Sequence, residues 1–263
     1  MTAVPPYLEE LFDVRGKRVV VTGGARGIGL AIATGFVEAG ADVIVSSRVA
    51  EDSAAAAAQL SGIGSCRGVR ADLSTVAGCR GLAAEVAALT DRVDVLINNA
   101  GSQYEAPLHE FSEQGWDDVL DVNTKAPFFV VQAFLPLLRA AAARRGPARV
   151  ISVGSINGLH ASSKDTFAYS AAKAALHHLS SHLAKRLAPD ITVNALALGM
   201  FESGMRRDGV PQQREPGALG AVPLGRYLGP TDLAGTTLYL ASAAGAYVTG
   251  AVLPVDGGTA TTL

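Results

Sequence analysis

Short runs of β-branched residues alternate with longer Ala-rich runs of helical periodicity along almost the whole chain. Seven of these runs predict strands, and they are continuously apolar, as expected of parallel strands that are covered on both faces. They are KRVVVT (17–22), ADVIVS (41–46), SCRGV (65–69), RVDVLIN (92–98), ARVISVG (148–154), DITVNAL (190–196) and AVLPV (251–255). Helical patterns occur near residues 28–39, 52–61, 75–90, 113–120, 124–144, 168–188 and 231–243. The alternation predicts an α/β fold with a single Rossmann-like, doubly wound parallel sheet of about seven strands and helices on both faces.

The chain shows no linker that would divide it, so we expect a single domain over residues 1–263. One stretch breaks the alternation: residues 199–230 are rich in Gly, Pro and charge and are too long for an ordinary connection. This stretch follows the sixth predicted strand, at the carboxyl edge where open α/β sheets bind ligands. We interpret it as a substrate lid. Its charged part, 206–215, fits a solvated lid better than a contact for a phosphopantetheine carrier.

Composition excludes several classes of protein. The net charge of −2 argues against a nucleic-acid-binding protein, which usually carries a strong basic excess. Cys66 and Cys79 have neither metal-ligand spacing nor a disulfide framework, which favours a reduced cytoplasmic setting. No unbroken apolar segment reaches the roughly 18 residues of a membrane span, and the N-terminus lacks the pattern of a signal peptide. His178 and His182 have the i, i+4 spacing of metal ligands, but no third ligand accompanies them, so we expect no metal site.

A glycine cluster follows the first predicted strand in VVVTGGARGIGLAIA (19–33). Gly23, Gly27 and Gly29 permit a tight turn, a close approach of the backbone to a pyrophosphate, and close packing of helix on strand. The helix that starts near Gly27 directs its N-terminal N–H groups at the phosphates. Strand, glycine turn and helix in this order therefore predict a dinucleotide site.

The end of the second predicted strand indicates which dinucleotide binds. NAD enzymes tend to place a carboxylate there for the ribose 2′-hydroxyl, whereas a nearby Arg suits a 2′-phosphate. This chain has Ser47 and then Arg48, and Arg26 of the glycine loop is expected to face the same ribose. Two guanidinium groups that converge on one position favour NADP(H). A solvated charge at the strand end is the alternative for Arg48.

Asp72 follows the third predicted strand and has two interpretations. Its carboxylate is able to accept a hydrogen bond from the adenine amino group, or to cap the next helix, and the sequence favours neither.

Tyr169 and Lys173 are four residues apart in a predicted helix, so they lie on one face, one turn apart. We expect the ammonium of Lys173 to lower the pKa of the phenol, which makes Tyr169 a competent acid for a carbonyl that becomes an alkoxide. Ser155, at the end of a strand, is placed to donate a hydrogen bond to the same oxygen. Asn123 is expected to open another helix and to hold a water linked to Lys173.

The combination resembles the short-chain dehydrogenase/reductase family over residues 14–258. The matching residues are TGGARGIG (22–29), ADL (71–73), NNAG (98–101), Asn123, Ser155, Tyr169, Lys173 and VDGG (255–258). The resemblance implies hydride transfer between a nicotinamide and a carbonyl carbon, and a homo-oligomer that is most often a tetramer, with a dimer as the alternative. It implies a Tyr that is the general acid/base, a Lys that binds the nicotinamide ribose, a Ser that orients the substrate and an Asn that keeps a proton-relay water.

The residues expected to bind the cofactor come from the glycine loop, from the ends of later strands and from the Tyr–Lys pair. They are Gly23, Arg26, Gly27, Ile28, Gly29, Ser47, Arg48, Asp72, Leu73, Asn99, Ala100, Gly101, Tyr169, Lys173, Gly199 and Ser203.

One departure from the family follows the sixth predicted strand. The family usually has Pro-Gly there, whereas this chain has Leu198 and Gly199, so the turn beside the nicotinamide loses the rigidity of proline. Ser203 remains in place to contact the carboxamide.

Within the family, the chain is most similar to bacterial 3-oxoacyl-(acyl carrier protein) reductases and to the branch that serves rhamnolipids. We therefore expect NADPH-dependent reduction of a 3-oxoacyl thioester carried on acyl carrier protein or coenzyme A. One alternative is a reductase or dehydrogenase of another carbonyl or alcohol, such as a steroid, a sugar, a polyketide or a xenobiotic. Another is a catalytically idle NADP(H)-binding sensor or scaffold.

Overall fold

Seven parallel strands form one sheet in a computed structural model that describes residues 5–201 and 218–260. The strands are β1 (Arg18–Val21), β2 (Asp42–Ser47), β3 (Cys66–Arg70), β4 (Val95–Asn98), β5 (Ala148–Val153), β6 (Ile191–Leu198) and β7 (Val252–Val255). Their order across the sheet is β3-β2-β1-β4-β5-β6-β7. The predicted Rossmann-like α/β fold is confirmed.

Eight α-helices surround the sheet in the described part of the chain. They are α1 (Pro6–Phe12), α2 (Gly27–Glu38), α3 (Ala50–Ser61), α4 (Val76–Leu89), α5 (Glu113–Leu120), α6 (Ala126–Arg145), α7 (Phe167–Leu187) and α8 (Pro230–Ala241). A π-helical turn, Asp121–Lys125, joins α5 to α6. The sequence patterns predicted α2 to α8 but not α1, a helix of seven residues none of which is buried.

The central strands bury side chains on both faces, which explains why their sequences are continuously apolar. Val19 and Val21 of β1 pack in one core with residues of α2, α3 and α8. Val20, between them, packs in the other core with residues of α4, α6 and α7. Helices therefore cover both faces of the sheet, as a doubly wound fold requires.

Two helices on one face cross at a glycine. Gly35 of α2 faces Ala234 of α8 so closely that a Cβ atom added at Gly35 would lie 2.5 Å from the Cβ of Ala234. The absence of a side chain at Gly35 therefore allows the two helix backbones to approach each other.

The helical run Glu113–Arg145 is long and apolar enough, by length and composition alone, to cross a membrane. Core helices meet the same criterion. Here α6 packs against β4, β5 and α4, and its buried side chains include Val130, Phe134 and Leu138.

The strand order reverses at β1, which lies between β2 and β4. From β1 the chain proceeds to one side of the sheet through β2 and β3, and then returns to the other side of β1 through β4 to β7. This reversal opens a crevice at the carboxyl ends of the strands, where ligands bind in open α/β sheets. The loop after β1, the residues after β4 and the residues after β5 all lie at this edge.

Candidate active site

The glycine loop between β1 and α2 has the backbone that a phosphate cradle needs. Gly23 and Gly27 have positive φ angles of 62° and 54°, which side chains rarely allow. A Cβ atom at Gly27 would meet nothing within 4 Å, so open space lies beside it. Helix α2 begins at Gly27, and Arg26, its N-cap residue, makes no side-chain capping bond. The Arg26 side chain therefore leaves the first N–H groups of α2 available. Uncapped N–H groups at the start of a helix are suited to bind phosphate.

Asn99, predicted as a cofactor residue, braces the glycine loop in this structure. Its Nδ2 donates to the carbonyl oxygens of Thr22 (2.9 Å) and Gly23 (3.0 Å). The hydroxyl oxygen of Thr22 accepts from the backbone N–H groups of Asn99 (3.0 Å) and Ala100 (3.1 Å). A Cβ atom at Gly29 would clash with both the Asn99 amide and the Gly23 carbonyl. The loop after β4 and the glycine loop therefore form one packed unit, with Ile28 partly buried beside it.

The two predicted phosphate ligands, Arg26 and Arg48, are exposed at the carboxyl edge. Within residues 5–201 and 218–260, neither guanidinium group forms a hydrogen bond or an ion pair. The hydroxyl of Ser47 accepts a bond from the N–H of Val49 (3.3 Å) and so shapes the turn that carries Arg48. Both cations are free to meet an anion.

Asp72 does not cap a helix, so that alternative is wrong. Thr75 caps α4, since its hydroxyl oxygen accepts from the N–H of Gly78 at 3.0 Å. Asp72 instead accepts from the N–H (3.1 Å) and the hydroxyl (2.8 Å) of Ser74, and these two bonds lower the pKa of its carboxyl. Leu73 is buried in the core, so any cofactor contact from it would have to come from its backbone.

Tyr169 and Lys173 lie one turn apart on α7, as predicted. The Nζ of Lys173 lies 5.4 Å from the centre of the Tyr169 ring and donates to the carbonyl oxygen of Val153 at 2.8 Å. Burial lowers the pKa of Lys173 to about 8.

The prediction that Lys173 lowers the pKa of Tyr169 is wrong for this structure. Burial raises the pKa of the phenol, and a side-chain hydrogen bond with Ser155 opposes that rise. The Nζ of Lys173 donates to the Val153 carbonyl and lies over the Tyr169 ring.

Ser155 lies directly beyond β5 and is 9% exposed. Its hydroxyl oxygen accepts from the N–H of Asn157 at 3.2 Å, and its side chain bonds to Tyr169. The two hydroxyl groups are therefore adjacent, at a position where one carbonyl oxygen can contact both.

Asn123 does not open a helix, which corrects the prediction. It lies in the π-helical turn, inside the continuous helical run from α5 to α6, and is fully buried. Its Nδ2 donates to the carbonyl oxygens of Ser102 (2.7 Å) and Val119 (2.9 Å). Its Oδ1 has no partner in the described part of the chain and faces Gly101, where an added Cβ atom would lie 2.9 Å away. A buried acceptor of this kind normally receives a hydrogen bond, and π-helical turns are frequent at functional sites.

The turn after β6 is held firmly although it lacks the proline. Strand β6 continues through Leu198, whose side chain is 4% exposed in the core. The N–H of Gly199 donates to the carbonyl of Val255 at 3.0 Å, and a Cβ atom at Gly199 would lie 2.7 Å from the Cα of Asp256. Sheet pairing and close packing thus fix this turn in place of the proline ring that the family usually has there. Ser203 and segment 206–215 lie outside the described residues, as do all of residues 202–217 of the predicted lid.

His177 is buried directly behind the loop that carries Ser155, whereas sequence reasoning would have left it on the surface or at a subunit interface. Its imidazole, 5% exposed, packs against Gly154 and Gly158 on either side of Ser155, and a Cβ atom at Gly154 would clash with its Nε2. Burial and the charge of Lys173 lower its pKa to about 4. The available signal was its spacing, four residues beyond Lys173 and eight beyond Tyr169, which places all three on one face of α7. His178 and His182 are exposed, and no cluster of metal-ligating side chains occurs among the described residues.

The fold and this group of side chains define an α/β oxidoreductase. The model of the short chain dehydrogenase family matches residues 17–214, and the chain belongs to that family. A rhamnolipids biosynthesis 3-oxoacyl-(acyl-carrier-protein) reductase of Pseudomonas aeruginosa is 44% identical over 250 residues, covering 94% of this chain and 97% of the relative. The solved Pseudomonas aeruginosa RhlG/NADP active-site complex has a TM-score of 0.89 and 43% identity, covering 95% of this chain and 98% of that one. A gluconate 5-dehydrogenase of Gluconobacter oxydans is 34% identical over 253 residues, covering 95% of this chain and 96% of the relative.

Proposed function

We propose that the protein uses NADPH to reduce the keto group of a 3-oxoacyl thioester to a hydroxyl group. The observation that carries the chemistry is the pair of adjacent hydroxyls, Ser155 and Tyr169, with the buried Lys173 one turn further along α7. The choice of substrate is supported by the 44% identical relative, whose name states a 3-oxoacyl-(acyl-carrier-protein) reductase.

The cofactor is NADP(H), and the carboxyl edge of the sheet fits it. Open space beside Gly27 and the uncapped start of α2 suit the pyrophosphate. Arg26 and Arg48, both free of partners among the described residues, suit the 2′-phosphate. When bound, the nicotinamide supplies the hydride that reduces the carbonyl carbon.

Tyr169 donates the proton that the reduced oxygen needs. Because burial raises the pKa of its phenol, the group is fully protonated at neutral pH and is available as an acid. Ser155 holds the carbonyl oxygen by donating a hydrogen bond from its hydroxyl. Lys173 would hold the nicotinamide ribose, and the Oδ1 of Asn123, which has no partner among the described residues, would accept from a water that returns a proton toward Lys173.

The assembly and setting of the enzyme are part of the proposal. We place it in the cytoplasm as a single-domain chain in a homotetramer or a homodimer, with a substrate carried on acyl carrier protein or coenzyme A. These expectations are supported by the resemblance to the family, and size-exclusion chromatography with light scattering measures the assembly.

A second candidate function is oxidoreduction of a sugar acid. It is favoured by the 34% identity to a gluconate 5-dehydrogenase, which matches nearly the whole chain. Both candidates use the same hydroxyl pair and differ only in the residues that hold the rest of the substrate.

Replacement of Tyr169 by Phe tests the proposed chemistry. We expect Tyr169→Phe to lower the turnover of acetoacetyl and longer 3-oxoacyl thioesters by at least about a hundredfold, since general acid catalysis contributes factors of this size. Binding of NADPH, measured by its fluorescence, should change little. Tyr247→Phe is the matched control, because Tyr247 is fully exposed and far along the chain from the site.

Near-normal turnover by Tyr169→Phe would contradict the mechanism. Faster turnover of sugar ketones than of thioesters by the unmodified enzyme would favour the second candidate. Tight NADPH binding without turnover of any carbonyl would indicate a protein that senses the cofactor.

A further inference from the structure

We propose that Arg70 is a third cationic residue of the site for the adenosine 2′-phosphate and contributes to the preference for NADPH over NADH. The inference rests on the proposed function and extends it to a residue on a different strand from Arg48. It names a determinant of cofactor choice that no motif in the sequence indicates.

The register of the sheet places Arg70 beside the residue that faces the ribose. Ser47 and Arg70 are the last residues of β2 and β3, and they are paired across the two parallel strands. Adjacent strands lie about 4.8 Å apart, and the side chains of paired residues leave the sheet on the same face. The Arg70 side chain therefore starts next to Ser47, the position at which NAD enzymes tend to place a carboxylate.

Side-chain alternation shows which face this is. Val43 and Val45 of β2 pack in the core beneath α2, so Ser47 leaves the sheet on the α2 face. Cys66 of β3 packs in the same core, so Arg70, four residues later, leaves on that face as well. Helix α2 begins just after Arg26, which brings the third guanidinium to the same side of the sheet.

Arg70 is also electrostatically free to bind an anion. Its side chain is exposed, and it forms no hydrogen bond or ion pair with residues 5–201 or 218–260. The charges of Arg48 and Arg70 both lower the pKa of Asp72, so both guanidinium groups lie near that carboxylate. Asp72 directs Oδ1 to Ser74 and pairs with neither Arg.

Arg48 and Arg70 near one carboxylate, with Arg26 on the same side of the sheet, leave an excess of positive charge at this corner of the sheet. A phosphate dianion satisfies such a group of planar donors better than a ribose hydroxyl does, because guanidinium groups bind phosphate oxygens through charge-assisted hydrogen bonds. Arg70 thus contributes to the binding of the 2′-phosphate, which only NADPH carries, and not to the binding of the parts that NADPH and NADH share.

Equilibrium binding tests this without relying on turnover. Kd values for NADPH and NADH, and for the fragments adenosine 2′,5′-bisphosphate and AMP, are measured by calorimetry on the unmodified protein, Arg70→Gln and Arg67→Gln. Arg67 is the matched control, because it is an exposed Arg of the same strand whose side chain leaves on the opposite face. Thermal unfolding of each variant verifies that it folds.

We expect Arg70→Gln to weaken NADPH and adenosine 2′,5′-bisphosphate about tenfold, within the range for a lost hydrogen bond to a charged group. NADH and AMP should bind as before, and Arg67→Gln should change none of the four values by more than about twofold. The loss of NADPH affinity caused by Arg70→Gln should also become smaller as salt is added, because salt screens the interaction between exposed charges.

Two results would overturn the role of Arg70 without affecting the proposed function. Equal weakening of NADPH and NADH by Arg70→Gln would assign the residue a structural role. Unchanged NADPH binding by Arg70→Gln, together with weakened binding by Arg26→Gln, would leave the proposed cofactor intact and exclude Arg70. Failure of the unmodified protein to prefer NADPH would instead contradict the proposed function itself.

Discussion

Lys173 and His177 are two buried bases on one face of α7, and neither has a carboxylate partner in the described part of the chain. Burial favours the neutral form of each, with a pKa of about 8 for Lys173 and about 4 for His177. At neutral pH the lysine is therefore still mostly charged, while the imidazole beside it is neutral. The neutral ring fills the space behind Gly154 and Gly158 without adding a second charge next to the ammonium.

The low pKa of His177 predicts a loss of stability in acid. An unfolded histidine binds a proton below about pH 6.5, whereas the folded protein resists protonation until about pH 4. The unfolded state thus binds more protons in this window, and the free energy of unfolding falls as the pH drops from 6.5 to 4, by roughly 3 kcal/mol from this one group.

His177→Leu should remove most of this pH dependence, as measured by urea unfolding at several pH values between 7.5 and 4.5. The absolute stability of the variant is not the readout, since leucine packs differently. His178→Leu, on the exposed side of α7, should leave the acid-side slope unchanged. An unaltered slope in His177→Leu would show that the imidazole does not control it.

At the scale of the elements, the strands and the long helices were predictable because each buries an apolar face or stripe that is visible in the sequence. Two elements were not. Helix α1 has only seven residues and buries none of them, so its short apolar pattern did not distinguish it from a loop. The π-helical turn around Asn123 depends on neighbours distant in sequence, including Ala172 of α7, whose carbonyl accepts from the hydroxyl of Thr124 at 3.1 Å. Local periodicity carries no information about such contacts.

The crossing of α2 and α8 predicts opposite effects for the same substitution at two helical glycines. Gly35→Ala should lower the free energy of unfolding by about 1–2 kcal/mol, because the new methyl group overlaps Ala234 and overpacking costs about this much. Gly81→Ala, in α4, should raise it by about 0.5–1 kcal/mol, because its Cβ meets nothing within 4 Å and alanine favours the helix.

Urea unfolding of the two variants beside the unmodified protein measures both effects. The comparison removes helix propensity as an explanation, since both changes add the same group to the interior of a helix. A stabilisation of Gly35→Ala equal to that of Gly81→Ala would refute the close crossing.

At the scale of the whole molecule, the positions of many candidate residues were predictable, because the glycine loop, Arg48, Asp72, Asn99 and Ser155 follow the ends of five strands, and parallel strands place their carboxyl ends at one edge. Their bonding partners were not. That Asn99 binds the cofactor stays a prediction, and the sequence did not indicate that its amide bonds to the Gly23 carbonyl. Nor did it indicate that Lys173 bonds to the Val153 carbonyl. Whether such bonds form depends on differences of a few tenths of an ångström in the relative positions of segments that are far apart in the chain. Spacing along the sequence does not encode these positions.

The corner formed by Arg26, Arg48 and Arg70 also has a consequence for the resistance of the fold to heat. Like charges in excess of the single Asp72 carboxylate repel one another, so the free protein is less stable than its contacts alone would make it. A bound dianion offsets this repulsion, and a ligand at about a hundred times its Kd adds roughly 2.7 kcal/mol to the free energy of unfolding. At equal concentration, NADP⁺ should therefore raise the melting temperature more than NAD⁺ does, and Arg70→Gln should narrow that difference. The concentration of the cofactor would then determine the fraction of this protein that stays folded at elevated temperature, as well as its turnover rate.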